Sequence, residues 1–121
     1  MGNKNIKASE ENRKKEFEKF KTFFMSWREK LGLRDWKISY FEYRDIKEDD
    51  TPYATVRYDL TQKMAWVYFY GSVTNRFDAE EKALHEVLHL LLAESSPEEA
   101  DTKEEHGIIN RLLPVLLGGE R

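Results

Sequence analysis

Two histidines four residues apart, His85 and His89, sit inside a run that carries the signals of a helix. Asp78 is placed to cap its N-terminus, Glu81 stands three residues on as in a capping box, and the helix is expected to run through about Leu92. Successive residues on an α-helix turn by about 100°, so side chains four apart differ in direction by only about 40°. Both imidazoles therefore leave the helix on one side, one turn apart, where they can grip a single cation. Leu84, Val87, Leu88, Leu91 and Leu92 coat the flank beside them. That places the imidazoles at the margin of a core, held and partly dry, rather than on a loose exposed helix.

The rest of the chain supplies what this helix packs against. At 121 residues there is room for one domain with a single core. Residues 1–9 read as a disordered tail, and residues 10–121 as one domain. From about Glu10 a helix is signalled by Phe17, Phe20, Phe24, Trp27 and Leu31 at spacings of three and four, broadened by Phe23 and ended by Gly32. A domain this small needs its aromatics inside, so the stripe is read as a core face rather than a partner-binding one. Trp36, Ile38 and Tyr40 alternate with polar residues as in a half-buried strand. The phase then slips to Phe41 and Tyr43, which predicts a bulge or a strand end near Tyr40.

Arg44 to Pro52 reads as a solvated loop whose acids match no calcium-binding spacing. Tyr53–Asp59 and Met64–Gly71 are β-rich runs joined by Leu60-Thr61-Gln62-Lys63, most simply a hairpin. The second run is apolar on both faces, as in a central strand or one that receives a ligand. Ser96-Pro97-Glu98-Glu99 signals the start of a last helix, expected to run to about Leu113 and to kink or end at Pro114. The order α-β-β-β-α-α predicts an α+β domain.

Bulk properties narrow the partners. Lys and Arg number 20 against 23 Asp and Glu, a net charge of −3, and no basic run is long enough to form a phosphate-binding patch. Neither nucleic acid nor an anionic membrane is therefore expected as partner. With no cysteine, disulfides, thiolate nucleophiles and cysteine zinc sites are excluded. No secretory signal opens the chain, and no apolar stretch is long enough to cross a bilayer. The expectation is a soluble, cytoplasmic monomer.

His85-Glu86-Val87-Leu88-His89 is an H-E-x-x-H sequence, and it uses two of only three histidines. Two histidines at this spacing can be ordinary surface or core residues, but Glu86 between them fits a chemical division of labour. It is turned about 100° from His85. From there it reaches a water on the ion more easily than the ion itself. Zinc lowers the pKa of that water and polarises a carbonyl, while Glu86 takes and returns the proton as general base.

A zinc site of this kind needs a third protein ligand and leaves the fourth position to water. The candidates lie on the last helix. Ile108, Ile109, Leu112 and Leu116 fall within about 60° of Glu105 at helical pitch, so Glu105 faces inward, a costly position for a carboxylate without a positive partner. Glu104 and His106 stand about 100° to either side. Glu105 is the first choice as third metal ligand, ahead of His106 and Glu104. Alternatively, Glu105 merely joins Glu98, Glu99, Asp101 and Glu104 in favouring the helix N-terminal dipole.

His85 to Leu92 (HEVLHLLL), with Glu104-Glu105-His106 and Ile109-Asn110-Arg111-Leu112 after a short acidic stretch, resembles small zincin-type metallopeptidases encoded in phage and prophage genomes. In outline these are similar to minimal gluzincins. Leu31-Gly32-Leu33-Arg34-Asp35-Trp36-Lys37-Ile38 and the hairpin also fit, so the resemblance covers nearly the whole chain after the tail. It implies a zincin-like fold, with an N-terminal helix, a small three-stranded sheet with a hairpin, the H-E-x-x-H helix and a C-terminal helix. It further implies a zinc peptidase acting on peptide or protein, with a glutamate on a later helix as third ligand, which Glu105 matches best. An edge strand of the hairpin would pair with extended substrate, Met64–Tyr70 being the expected one.

Neighbouring classes fit less well. Metzincins carry a glycine and a histidine where Leu92 and Ser95 stand here, and a ribonuclease pattern also needs histidine at Ser95. Proteases of the SprT type use a downstream His-Gly, which His106-Gly107 offers, but the charge balance argues against DNA work. Tyr68, Tyr70, Arg111 and His106 are the candidates to stabilise an oxyanion. The rival is a zinc-stabilised peptide- or partner-binding regulatory module without turnover, against which Glu86 counts.

Overall fold

A computed structural model of the chain describes residues 2–42, 53–71, 78–95 and 103–118. In chain order the elements are α1 (Gly2–Lys30), β1 (Lys37–Glu42), β2 (Ala54–Asp59), β3 (Met64–Phe69), α2 (Ala79–Ser95) and α3 (Lys103–Gly118). This is an α+β arrangement of three helices and a mixed three-stranded sheet.

The aromatic stripe of α1 lies in the core. Phe20 and Phe24 are fully buried and Trp27 nearly so, while Phe17, Phe23 and Leu31 pack around them. The stripe meets the sheet through Phe20 against Phe69 and Phe24 against Tyr40, with ring centroids 5.2 and 5.6 Å apart. Helical backbone reaches upstream of Glu10, through residues expected to form a tail. No proline interrupts that stretch, and elongating an existing helix is easy compared with nucleating one.

At its other end α1 stops as Gly32 predicts. Gly32 has φ +79°, its N–H bonds Glu29 O, and Leu33 N–H reaches back to Arg28 O, which together make a Schellman cap. The Arg28 guanidinium secures the turn by donating to the carbonyls of Leu33, Arg34 and Trp36.

Strand order is β1-β3-β2, with β1 parallel and β2 antiparallel to β3. A strand apolar on both faces thus takes the centre, and the hairpin through Leu60–Lys63 is present. Of the bulge or strand end expected near Tyr40, no bulge occurs, and the strand ends two residues on at Glu42. Register with β3 is unbroken from Lys37↔Met64 to Glu42↔Phe69. Phe41 keeps its alternation and points to the exposed face, where it stacks on Tyr68 at 5.4 Å. That cross-strand partner gives an apolar side chain a contact outside the core.

Helix α2 is enclosed on most sides. Ala83, Leu84, Val87, Leu88, Leu90 and Ala93 have no exposed surface, which is the pattern of a central helix rather than a surface one. On α3, Glu105, Ile109 and Leu113 are buried. Ile108, expected inward, is 41% exposed, so the buried stripe runs to one side of it. The helix does not end at Leu113; it continues past Pro114 to Gly118, with Leu116 and Leu117 packed against the core. Tyr43, the loop at 44–52 and the start signal at Ser96–Glu99 lie outside the described residues.

Two glycines provide a check on this backbone. An added Cβ meets nothing within 4 Å at either Gly32 or Gly107, but only Gly32 has positive φ. Gly32→Ala is expected to destabilise the protein by about 1–2 kcal/mol through left-handed strain. Gly107→Ala, inside α3, is expected to stabilise it by about 0.5–1 kcal/mol. Urea unfolding midpoints should therefore move in opposite directions for the two variants.

Candidate metal centre

Helix α2 is aimed by its cap. The Asp78 carboxylate accepts from the N–H groups of Glu80 and Glu81 at 2.9 and 3.4 Å, and its carbonyl accepts the first helical bond, from Lys82. Two turns in, His85, Glu86 and His89 bring one potential ligand atom each within 4.8 Å of one another, and this group can hold a metal ion. His85 is half-buried, and Glu86 and His89 are buried.

The two imidazoles meet through Nε2, 3.2 Å apart. Two nitrogens each about 2.0–2.1 Å from a tetrahedral zinc ion would be separated by about 3.3–3.4 Å. The pair is therefore spaced as such an ion requires, and the donor set fits a borderline cation of the zinc type.

The buried carboxylate of Glu105, only 4% exposed, lies beside the other nitrogen of His89, with Oε1 2.5 Å from Nδ1. The charge that looked misplaced on α3 thus has a partner on α2. An ionised carboxylate can only accept there, so Nδ1 is the nitrogen that donates, and in the neutral ring this leaves the Nε2 lone pair facing His85. The structure brings Glu105 to the back of His89, across the ring from the point where the two Nε2 atoms converge. Glu104 is exposed. His106, also exposed, has its ring centroid 5.7 Å from that of His85 and 5.0 Å from that of His89.

A pocket of about 490 Å³ opens beside these groups, walled on the helix side by Lys82, His85, Glu86, His89 and His106. The other wall is β2, through Tyr53, Ala54, Thr55, Val56 and Tyr58. Thr55 points to the opposite sheet face from Ala54 and Val56, yet all three line the pocket, so the pocket runs along the edge of the strand. Among the described residues no strand pairs with that edge. The expectation that Met64–Tyr70 offers the free edge is overturned, since β3 lies between β1 and β2 with both of its edges engaged.

Tyr53 ties this wall to α1 by donating to Glu16 Oε1 at 2.9 Å. Burial first, and then the charge of Glu16, raise its phenol well above the ordinary range, so it stays a protonated donor.

Of the four oxyanion candidates, only His106 lines the pocket. Tyr68 stacks on Phe41 across the sheet, Tyr70 is half-buried elsewhere, and Arg111 is exposed on α3. Sequence reasoning missed Lys82 and the whole β2 wall. Lys82 was within reach of the same helical arithmetic, standing three residues before His85. The β2 wall could be found only by knowing which strand ends up at the edge.

No protein-family model, curated protein or solved structure matches this chain. Nor is any helix among the described residues long and apolar enough to cross a membrane.

The His89–Glu105 pair yields a stability test independent of any ion. In protein treated with EDTA, His89→Phe leaves a buried carboxylate without its donor and should cost about 1–3 kcal/mol. Urea unfolding of the metal-free proteins measures it, and an unchanged midpoint would show that the pair contributes nothing to the fold.

Proposed function

We propose that this chain is a zinc-dependent peptidase, related in design to the small phage-type zincins that its sequence resembles, in which His85 and His89 hold the ion and Glu86 is the general base. The observation that carries this reading is the 3.2 Å approach of the two Nε2 atoms, with the Glu86 carboxylate beside them, on the wall of an open pocket.

Peptide hydrolysis adds water across a C–N bond, with oxygen going to the carbonyl carbon and a proton to the departing nitrogen. When bound, the ion would acidify the attacking water and polarise the scissile carbonyl. Glu86 takes the proton from the attacking water and returns it to the leaving nitrogen. Its burial beside the imidazoles keeps that transfer out of bulk solvent. The edge of β2 offers backbone donors and acceptors to an extended peptide, which would lie along the pocket as an added strand. Tyr53, engaged with Glu16, keeps that strand in place and takes no part in proton transfer.

Metal analysis of the purified chain, paired with cleavage of a peptide library followed by mass spectrometry, tests the proposal. Wild type should carry one zinc per chain and cleave, and EDTA should stop cleavage until zinc is restored. Glu86→Gln should keep the zinc and lose about a hundredfold or more in rate. His85→Ala should lose both. Equal zinc content in wild type and His85→Ala would end the proposal. Metal retention without cleavage in wild type would leave a binding module in its place.

A further inference from the structure

Zinc sites of this class use three protein donors, and α3 presents two adjacent side chains in different ways. The Glu105 carboxylate is turned to the Nδ1 side of His89 at 2.5 Å, buried between α2 and α3. The His106 ring is turned to the pocket, where it joins His85 and His89. For three imidazoles bound through nitrogen to one tetrahedral ion, each ring centroid lies about 3.2 Å from the ion, which separates the centroids by about 5.2 Å. The observed separations are 4.9 Å for His85–His89, 5.0 Å for His89–His106 and 5.7 Å for His85–His106. The ring planes are inclined to one another by 66°, 62° and 87°. None of the three pairs is stacked face to face. Donor atoms of His85, Glu86 and His89 already lie within 4.8 Å of one another, and the exposed His106 ring would turn about its side-chain bonds to join them.

From this geometry we propose that the protein donors are the three imidazoles of His85, His89 and His106, and that Glu105 is a positioning residue that holds the Nδ1–H of His89. The inference rests on the metal-centre reading above and settles which residue of α3 completes it. It reverses the roles that sequence alone favours for these two neighbours. A carboxylate behind a ligating imidazole fixes its tautomer, locks the ring orientation and raises the basicity of the coordinating nitrogen. A His₃ set also leaves the ion its full double positive charge, whereas a glutamate ligand would cancel one unit. The centre is thereby a stronger electrophile toward a carbonyl.

The test uses the full chain loaded with Co²⁺, whose visible bands follow the identity of its donors, alongside competition titrations for Zn²⁺ affinity. Glu105→Gln keeps an acceptor for Nδ1–H. It should leave the cobalt spectrum unchanged while weakening zinc binding about 10–100-fold. His106→Ala, at an exposed position, should change the cobalt spectrum and weaken zinc binding further than Glu105→Gln does. Imidazole nitrogen NMR of the metal-free protein should find His89 as the Nδ1–H tautomer, and Glu105→Leu should release it to a mixture.

A cobalt spectrum altered by Glu105→Gln, or untouched by His106→Ala, overturns this ligand set while leaving the metal-centre reading intact, provided His85→Ala still abolishes binding. A wild-type chain that takes up no Co²⁺ or Zn²⁺ overturns both. Circular dichroism of each metal-free variant separates loss of a donor from loss of the fold.

Discussion

A carboxylate buried between two helices and the imidazole it faces hold the site of this protein together. Glu105 and His89 lie 2.5 Å apart, each less than 10% exposed, on facing sides of α3 and α2. Burying an unpaired carboxylate costs several kcal/mol, so the two helices have a strong reason to keep one relative register. Once that register is set, the other nitrogen of His89 must look out toward His85 and the pocket. One contact thus couples the packing of α2 and α3 to the direction in which the chemistry points.

The remainder of the fold presents this pair to solvent on one side only. Helix α2 is enclosed by the aromatic face of α1, by the sheet and by α3, and its histidines emerge at the rim where β2 passes. Phe20, Phe24 and Phe69 supply the bulk behind it, and burial of each aromatic contributes about 1.5–3 kcal/mol. Polar ties link the elements around this core. Trp36 Nε1 donates to Glu94 near the end of α2, Lys63 pairs with Asp35, and Tyr53 bonds Glu16. These join the α1–β1 turn and the edge strand to the helices and the hairpin turn to the α1–β1 turn, while Lys63 also reaches Glu94 of α2 at 3.7 Å. Of these ties, the Tyr53–Glu16 bond is the one that holds a residue of the pocket wall.

Much of this was legible in the residues. The H-E-x-x-H helix, its Asp78 cap, the α1 stripe, the Gly32 stop and the β2–β3 hairpin all follow from local spacing and appear where expected. The inward placement of Glu105 was also readable, because helical pitch alone puts it in line with Ile109. The continuation of α3 past Pro114 was not, since a proline's local penalty is outweighed when Leu116 and Leu117 find a core to join. The unbroken register of β1 was missed for a related reason, Phe41 having a cross-strand partner on the outer face that no local pattern reveals.

What the sequence by itself determined is everything carried by short-range geometry: two imidazoles one turn apart, a carboxylate between them, and an acid buried on the last helix. Which strand lies at the centre of the sheet and which beside the pocket, and which nitrogen of His89 the acid meets, were decided only in the tertiary structure. Those depend on contacts between segments 16 or more residues apart, as Glu105 is from His89. Periodicity sets the face from which a side chain leaves its own helix, while its partner across the interface is set by how the helices and strands pack.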